Sequence, residues 1–368
     1  MLNRLIFANL AHRPVRTLLS VLAIAVEVTM ILTLVGVSYG TLDSSANRAR
    51  GAGADIVIRP PNSSAMSSLN STPIPDKYVA WLAGQPHVVA ATGTAVMALG
   101  NGTLDSITGI DFPAFNKMSG GFVYLNGGDP ANDTEIAMDE FYARQKHLHV
   151  GDSIQLVNHT WRVSGIYQDG KLTRMCVRLP ALQAIMPGGE KHLTVLYAKL
   201  DDPKLADQAK EDLKEKLVNY PVYTMEEFVS MFNISNIGML KDFIGVVIGV
   251  SVIVGFIVVF MAMYTAVLER TREIGIIKAV GGAPGLVLQM LMRETVLLAL
   301  LGTVAGIALT YGTQWIMQHA VPGSLTQETV YLWWLYAGLI AVGGALLGVI
   351  VPAAKAMKQD VTEALSYE

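Results

Sequence analysis

Four stretches of this sequence are long and apolar enough to cross a bilayer, which restricts everything else the chain can do. A helix needs about 20 mostly apolar residues to span the hydrocarbon. The first stretch runs from Thr17 to about Tyr39 and contains one acid, Glu27. The second runs from Phe243 to about Val267, with no charge between Asp242 and Glu269. The third begins near Leu286, and no Lys, Arg, Asp or Glu falls between Glu294 and Glu328. The fourth runs from Tyr331 to about Val351. Trp315, Tyr331, Trp333, Trp334 and Tyr336 lie near span ends, where amphipathic rings favour the head-group level. The first stretch is too long for a cleaved leader, and Val35-Gly-Val-Ser-Tyr-Gly is a poor cleavage context, so it reads as a retained anchor.

Composition agrees. Charged residues make up 15% and mean hydropathy is +0.41, against about 25% charged residues in a soluble domain. That balance argues against a disordered chain and against a purely soluble enzyme. The net charge of −3 carries no signature of nucleic-acid binding. One cysteine, Cys176, rules out a disulfide within the chain and any multi-cysteine metal site.

Basic residues set an orientation. Arg4, Arg13 and Arg16 precede the first span, Arg270, Arg272, Lys278 and Arg293 flank the loop between the second and third, and Lys355 and Lys358 follow the fourth. The connection from Met317 to Thr329 has no Lys or Arg. Both termini and the 268–285 loop are therefore expected in the cytoplasm. The resulting division is an interfacial helix at 1–16, spans at 17–40, 243–268, 286–315 and 331–352, and an outer domain at 41–242. A coupling loop occupies 269–285, a short outer loop 316–330 and a cytoplasmic tail 353–368. The interfacial helix rests on Leu2, Leu5, Ile6 and Leu10 sharing a face beside Arg4 and Arg13.

The outer stretch reads as a mixed α+β domain. Strands are expected at 55–59, 88–99, 106–110, 135–138, 153–157, 160–167, 193–200 and 221–223 from period-two alternation and turn residues. Helices are expected at 75–84, 139–147, 179–186 and 203–218, with Asp139 as a cap. Thr224-Met-Glu-Glu227 is a capping box. With no proline before Pro284, a continuous helix from Met225 to about Leu268 is expected, its outer part packing against a helical extension of span one over Leu42 to Arg50.

Catalytic patterns are sparse. His147-Leu-His149 is a surface pair rather than a metal site, because i and i+2 on a helix face different ways. There is no G-x-S-x-G, H-E-x-x-H or paired-carboxylate motif. Gly165-Ile-Tyr-Gln-Asp-Gly170-Lys171 approaches a phosphate loop, but Leu172 stands where the Mg²⁺-binding hydroxyl belongs. No catalytic residue, metal site or cofactor is assigned to the chain.

Two further features are testable. Glu27 sits near mid-bilayer, where an acid is expensive; it is either a candidate substrate-pocket residue or polar glue between helices. Gly245, Gly249 and Gly255 permit close helix approach, and Gly245 and Gly249, four apart, are candidate dimer-interface residues, although such glycines also pack within one subunit.

The cytoplasmic loop reads Glu269-Arg-Thr-Arg-Glu-Ile-Gly-Ile-Ile-Lys-Ala-Val-Gly-Gly-Ala283, followed by Arg293-Glu294 and Gly302-x-x-x-Gly306. The tail reads Pro352-Ala-Ala-Lys-Ala356, then Asp360-Val-Thr-Glu-Ala-Leu365 and Glu368. This series resembles the membrane subunit of MacB/FtsX-type ABC systems, which include the LolC/LolE permeases. Gly53-Ala-Asp-Ile-Val-Ile and Val150-Gly-Asp…Trp161-Arg-Val-Ser-Gly165-Ile are similar to the MacB periplasmic core. The resemblance implies four transmembrane helices, with a large α+β extracytoplasmic domain between the first and second, in a bacterial inner membrane. It assigns ATPase coupling to Glu269, Arg270, Arg272, Glu273, Ile274, Gly275, Ile277 and Lys278, with Ile274, Ile277 and Val280 as the apolar side. It implies two copies of a separate ATPase holding ATP and Mg²⁺, a second permease copy (homodimer or related heterodimer), and as further candidates a periplasmic adaptor and an outer-membrane channel. The implied function is mechanotransmission: ATP hydrolysis drives export or extraction of an amphipathic substrate on the outer side. A regulatory alternative is an FtsX-like subunit that activates a cell-wall hydrolase without transport.

Overall fold

The computed structural model describes residues 14–63, 73–99, 105–186, 192–269, 271–280, 283–320 and 325–358. The side chains of Ser235, Glu273, Ile277, Pro284 and Ala320 are not described. The expected interfacial helix, apart from its last residues, and the tail motif beyond Lys358 lie outside the described residues. The chain divides into two units. One is helical, from Met1–Ser38, Met239–Ile316 and Gln327–Glu368; the other comprises Tyr39–Gly238 and Met317–Thr326.

Among the described residues, four helices are long and apolar enough to span a membrane. They are α1 (Pro14–Arg50), α8 (Gly238–Glu269), α10 (Pro284–Ala320) and α11 (Tyr331–Lys358). Small residues set their packing, because helices in lipid associate through close backbone approach. A Cβ on Gly302 would lie 2.6 Å from the Ile24 Cβ, and one on Gly306 2.7 Å from the Val28 Cβ, so α10 is pressed against α1. Thr29 adds a 3.0 Å hydrogen bond to the Gly306 carbonyl, and the Thr33 and Thr313 hydroxyls meet at 2.9 Å. On α11, a Cβ at Gly348 would lie 2.9 Å from the Phe256 carbonyl of α8. Tyr331 and Trp334 pack edge-on at 5.1 Å, as do Trp333 and Tyr336 at 5.7 Å.

The second unit is built on a ten-stranded sheet in the order β12-β1-β11-β3-β4-β9-β6-β8-β5, with β7 also paired to β8. Its strands are β1 (Ile56–Ile58), β3 (Val88–Ala98), β4 (Ser106–Ile110), β5 (Tyr124–Gly127), β6 (Glu135–Asp139), β7 (Ser153–Leu156), β8 (His159–Tyr167), β9 (Met175–Arg178), β11 (Val195–Leu200) and β12 (Val222–Thr224). The β4–β9 and β6–β8 pairs are parallel and the others antiparallel. A separate two-stranded ribbon joins β2 (Ile74–Pro75) to β10 (His192–Leu193). Short helices α2 (Lys77–Ala83), α3 (Phe112–Ser119), α4 (Glu140–Lys146), α5 (Leu179–Ile185), α6 (Ala206–Lys216) and α7 (Met225–Ser230) cover it. Phe112, Phe115, Phe122, Tyr167 and Cys176 form one core cluster, which Ala46 and Ala49 of α1 also join. Ile136, Met138, Trp161 and Leu182 belong to a second, and Ile58, Leu82, Leu196 and Leu213 to a third. Gly53, at φ +69°, makes the turn from α1 into β1, a left-handed conformation that favours glycine.

Local signals place several elements. The Asp139 carboxylate accepts from the Tyr142 amide at 2.7 Å and starts α4. The Thr224 hydroxyl accepts from the Glu227 amide while the Glu227 carboxylate accepts from the Thr224 amide, both at 3.2 Å, completing the capping box.

The expected continuous helix from Met225 to Leu268 does not form. α7 ends at Ser230, a 3₁₀ turn occupies Ile234–Asn236, and α8 starts at Gly238. The reason is local competition for backbone groups. Asn236 donates its side-chain amide to the Ser230 carbonyl at 2.7 Å, taking an acceptor the helix would need. Asn233, Ser235 and Gly238 add to the bias towards turns. The packing expected of α7 does form: Phe228 and Val229 are buried in the cluster that holds Ala46 and Ala49, with Phe232 against it, while Met239 is 86% exposed. The expected 193–200 strand is also divided, at Thr194, whose amide and hydroxyl both donate to the Thr94 carbonyl.

Candidate coupling element and intramembrane carboxyl

Helix α9 (Thr271–Ala279) follows α8 in the helical unit. Just ahead of it, at the end of α8, the Glu269 carboxylate accepts from Arg16 of α1 at 3.1 Å. Arg16 also approaches Glu294 of α10 at 4.0 Å, and the Glu294 side chain is 1% exposed. One guanidinium thus draws together α1, α8 and α10. At the other end of α9, Lys278 donates to the Met357 carbonyl at 2.8 Å and to Ala356 at 3.4 Å, which suits a cation at the negative end of α11. Lys355 is held at the same end by the Tyr264 hydroxyl at 2.7 Å.

The amphipathic reading of the loop is corrected. Ile274 is 2% exposed and Gly275 is buried, so both face the bundle rather than solvent. The open side carries Arg272, Ile276 and Val280, the last 85% exposed. Ile274 and Val280, which the amphipathic reading puts on one apolar side, are buried and exposed respectively, so the sequence pattern alone did not reveal the docked side. Arg270 and the side chains of Glu273 and Ile277 lie outside the described residues. Arg16 and Glu294 were not assigned from sequence; the signal was an acid alone in the apolar third span.

Glu27 is 6% exposed and points at Gly255 of α8. A Cβ on Gly255 would fall 1.9 Å from the Glu27 Oε2, so this glycine makes room for the carboxyl. The Glu27 Oε1 is buried without a hydrogen-bond partner among the described residues. Thr29 turns away to α10, and Gly255, which the sequence did not connect to Glu27, is the neighbour that matters. Gly245 and Gly249 have no neighbour within 4 Å of an added Cβ. They lie on a side of α8 that also exposes Val246, Val250 and Ile253.

In the sheet-rich unit, the Lys171 of the near-phosphate loop donates to the Gly121 and Ser119 carbonyls at 2.6 and 3.1 Å, closing the end of α3. His147 caps α4 in a left-handed conformation, and His149 approaches Asp152 at 3.6 Å. Among the described residues no group of three His, Cys, Asp or Glu is placed to hold a metal.

Comparison with known proteins places these features in a family. The model of the MacB-like periplasmic core domain matches residues 17–216, and that of the FtsX-like permease C-terminal region matches 245–361. An uncharacterized ABC transporter permease, YknZ of Bacillus subtilis, is 36% identical over 41% of this chain and 37% of its own length. The macrolide export ATP-binding/permease protein MacB of Burkholderia cenocepacia is 27% identical over 98% of this chain and 56% of its own. The pyoverdine export ATP-binding/permease protein PvdT of Pseudomonas savastanoi is 26% identical over 96% of this chain and 57% of its own. The chain therefore spans about half the length, or less, of these relatives. With the core-domain match covering more than half of its residues, and a sheet-rich domain between the first and second of four apolar helices, the chain belongs to the MacB/FtsX-type ABC transporter permeases.

Proposed function

We propose that this multi-pass membrane protein is the non-catalytic partner of a cytoplasmic ABC ATPase and works by mechanotransmission. Two ATPase copies, which bind ATP and Mg²⁺, press on α9 in each of two permease copies. The movement reaches the outer domains, which export or extract an amphipathic substrate on the outer side of a bacterial inner membrane. Both termini are then cytoplasmic, and a periplasmic adaptor and outer-membrane channel complete the path.

The observation that carries this reading is the two-sided character of α9. One side is fastened through buried Ile274 and through Lys278, which is bonded to the end of α11, and just ahead of it Glu269 of α8 pairs with Arg16 of α1. The other offers Arg272, Ile276 and Val280, a small apolar surface with a charged rim of the kind protein partners cover. A push on the open side is delivered directly to the inner ends of the bundle.

The test is coupled activity with the ATPase partner. Glu273→Lys with Ile277→Asp, and separately Ile276→Asp with Val280→Asp, are expected to abolish substrate-stimulated hydrolysis while membrane insertion stays intact. Full coupled activity in both double variants overturns the assignment. ATP hydrolysis that no exported substrate stimulates, together with activation of a cell-wall hydrolase, replaces export by regulation.

A further inference from the structure

A cavity of about 370 Å³ lies within the sheet-rich unit, between the outer part of α1 and one side of the sheet. Its lining includes the apolar and aromatic side chains of Leu42, Tyr197, Phe228 and Phe232. It also includes the polar residues Ser106, Thr108 and Thr173 and the charged residues Arg48 and Arg174. Asp105 also lines it. The Thr108 hydroxyl donates to Thr173 at 2.9 Å, whose own hydroxyl donates to the Met175 carbonyl.

Arg48 is the informative residue. It is half-buried, and its guanidinium donates to the neutral hydroxyls of Ser44 and Ser45 on its own helix. Among the described residues no carboxylate oxygen lies within 4 Å of it. A guanidinium offers five donors in a planar fork that matches a carboxylate or phosphate. Two are occupied, by neutral hydroxyls, and its charge is offset only from a distance, by Asp169 and Asp139 against the opposing Arg174. The Thr41 hydroxyl, seven residues earlier on α1 and also in the lining, is buried without a partner among the described residues. Removing a guanidinium and a hydroxyl from water without compensating partners is costly, which points to a ligand that supplies acceptors. Asp105 lowers the positive potential of the lining, so the aromatic side chains must contribute much of the affinity.

We propose that this cavity binds an amphiphile through its anionic head, a phosphate or carboxylate, with the head on Arg48 and Thr41 and the apolar body on Phe228 and Phe232. The volume is within the range of small-ligand clefts and suits a head group with the first part of a chain. Arg48 lies nine residues beyond Tyr39, about 14 Å along the axis of α1 from the end of the apolar run. This deepens the export reading, on which it rests only for its physiological meaning, by naming a class of substrate.

The test uses the full chain without an ATPase, so that failure of the anion site and failure of coupled export are separate results. The chain in dodecyl maltoside is titrated with 1-dodecanoyl lysophosphatidylglycerol and, in parallel, with inorganic phosphate. Native mass spectrometry follows binding and hydrogen exchange locates it. The lysolipid is expected to bind once per chain and to slow exchange at 41–49, 105–108 and 172–176. Arg48→Met is expected to weaken it at least ten-fold and Arg48→Lys less. Phe232→Ala is expected to weaken the lysolipid and leave phosphate unchanged. Phosphate binding as tightly as the lysolipid overturns the amphiphile assignment. Lysolipid binding unchanged in both Arg48→Met and Phe232→Ala, or protection confined to other segments, overturns the site.

Discussion

Lys278 of the loop helix and Met357 of the last helix are joined by a 2.8 Å hydrogen bond from an ammonium to a main-chain carbonyl, which ties the end of α9 to the end of α11. A charged donor on a terminal carbonyl contributes about 1.5–3 kcal/mol when sheltered, and less where water competes. Lys278→Met is expected to raise hydrogen exchange in α9 by about five-fold, corresponding to about 1 kcal/mol at this partly exposed site. Insertion should be unchanged and substrate-stimulated hydrolysis reduced. Exchange identical to the parent chain would remove Lys278 from the coupling path.

Gly255 and Glu27 should behave as an interacting pair. Gly255→Val introduces bulk where the carboxyl sits, and overpacking of this kind costs about 1–3 kcal/mol. Glu27→Ala frees that space, so the double variant should recover part of the loss in a thermal melt of the detergent-solubilised chain. Additive losses would show that the two do not share the site. Glu27→Gln keeps the shape and tests function: unchanged stimulation and transport in both Glu27→Gln and Glu27→Ala would leave Glu27 a packing residue.

Gly245 and Gly249 should lie at the contact between two permease copies. Cysteine pairs at the outer ends of α1 and α8 are expected to crosslink between copies, and Gly249→Ile is expected to reduce that yield several-fold. Crosslinking through α10 and α11 alone would place the interface elsewhere.

The sheet-rich unit should soften as pH rises. Burial is the main cause that pushes Asp139 up to about 7, against opposing effects of the Tyr142 amide and the Arg174 charge. Its folded form holds a proton more tightly than the unfolded chain, for which about 4 is usual. Its contribution to stability is therefore complete below pH 4 and is lost as pH rises through about 7. Hydrogen exchange in β6 and α4 of the full chain, corrected for intrinsic rates, should be slower at pH 5.5 than at 7.5. Asp139→Asn keeps a capping oxygen and should flatten the difference. A pH dependence that survives the substitution would assign it to another group.

What the sequence made legible was local or long. The four spans stood out because lipid leaves few choices to twenty apolar residues, and the Asp139 and Thr224–Glu227 caps because their partners lie within three residues. α3 was missed because Pro113 looks like a break, although proline is favoured in a first turn and Asp111 supplies the cap. β5 and β9, four residues each, are too short for periodicity to show. The side of α9 that docks was not legible, because its partner for Lys278, the end of α11, is distant in the chain. Gly255 as the seat of Glu27 was hidden for the same reason.

Burial of Cys176 at the middle of the sheet has a chemical consequence. It is fully enclosed, and burial pushes its thiol well above the usual range, so little reactive thiolate forms. The chain's one sulfhydryl is thereby insulated from oxidants and alkylating reagents, whatever the redox potential on that side of the membrane. Reporter thiols placed on the spanning helices would be read against a silent background, with the native sulfur left in place.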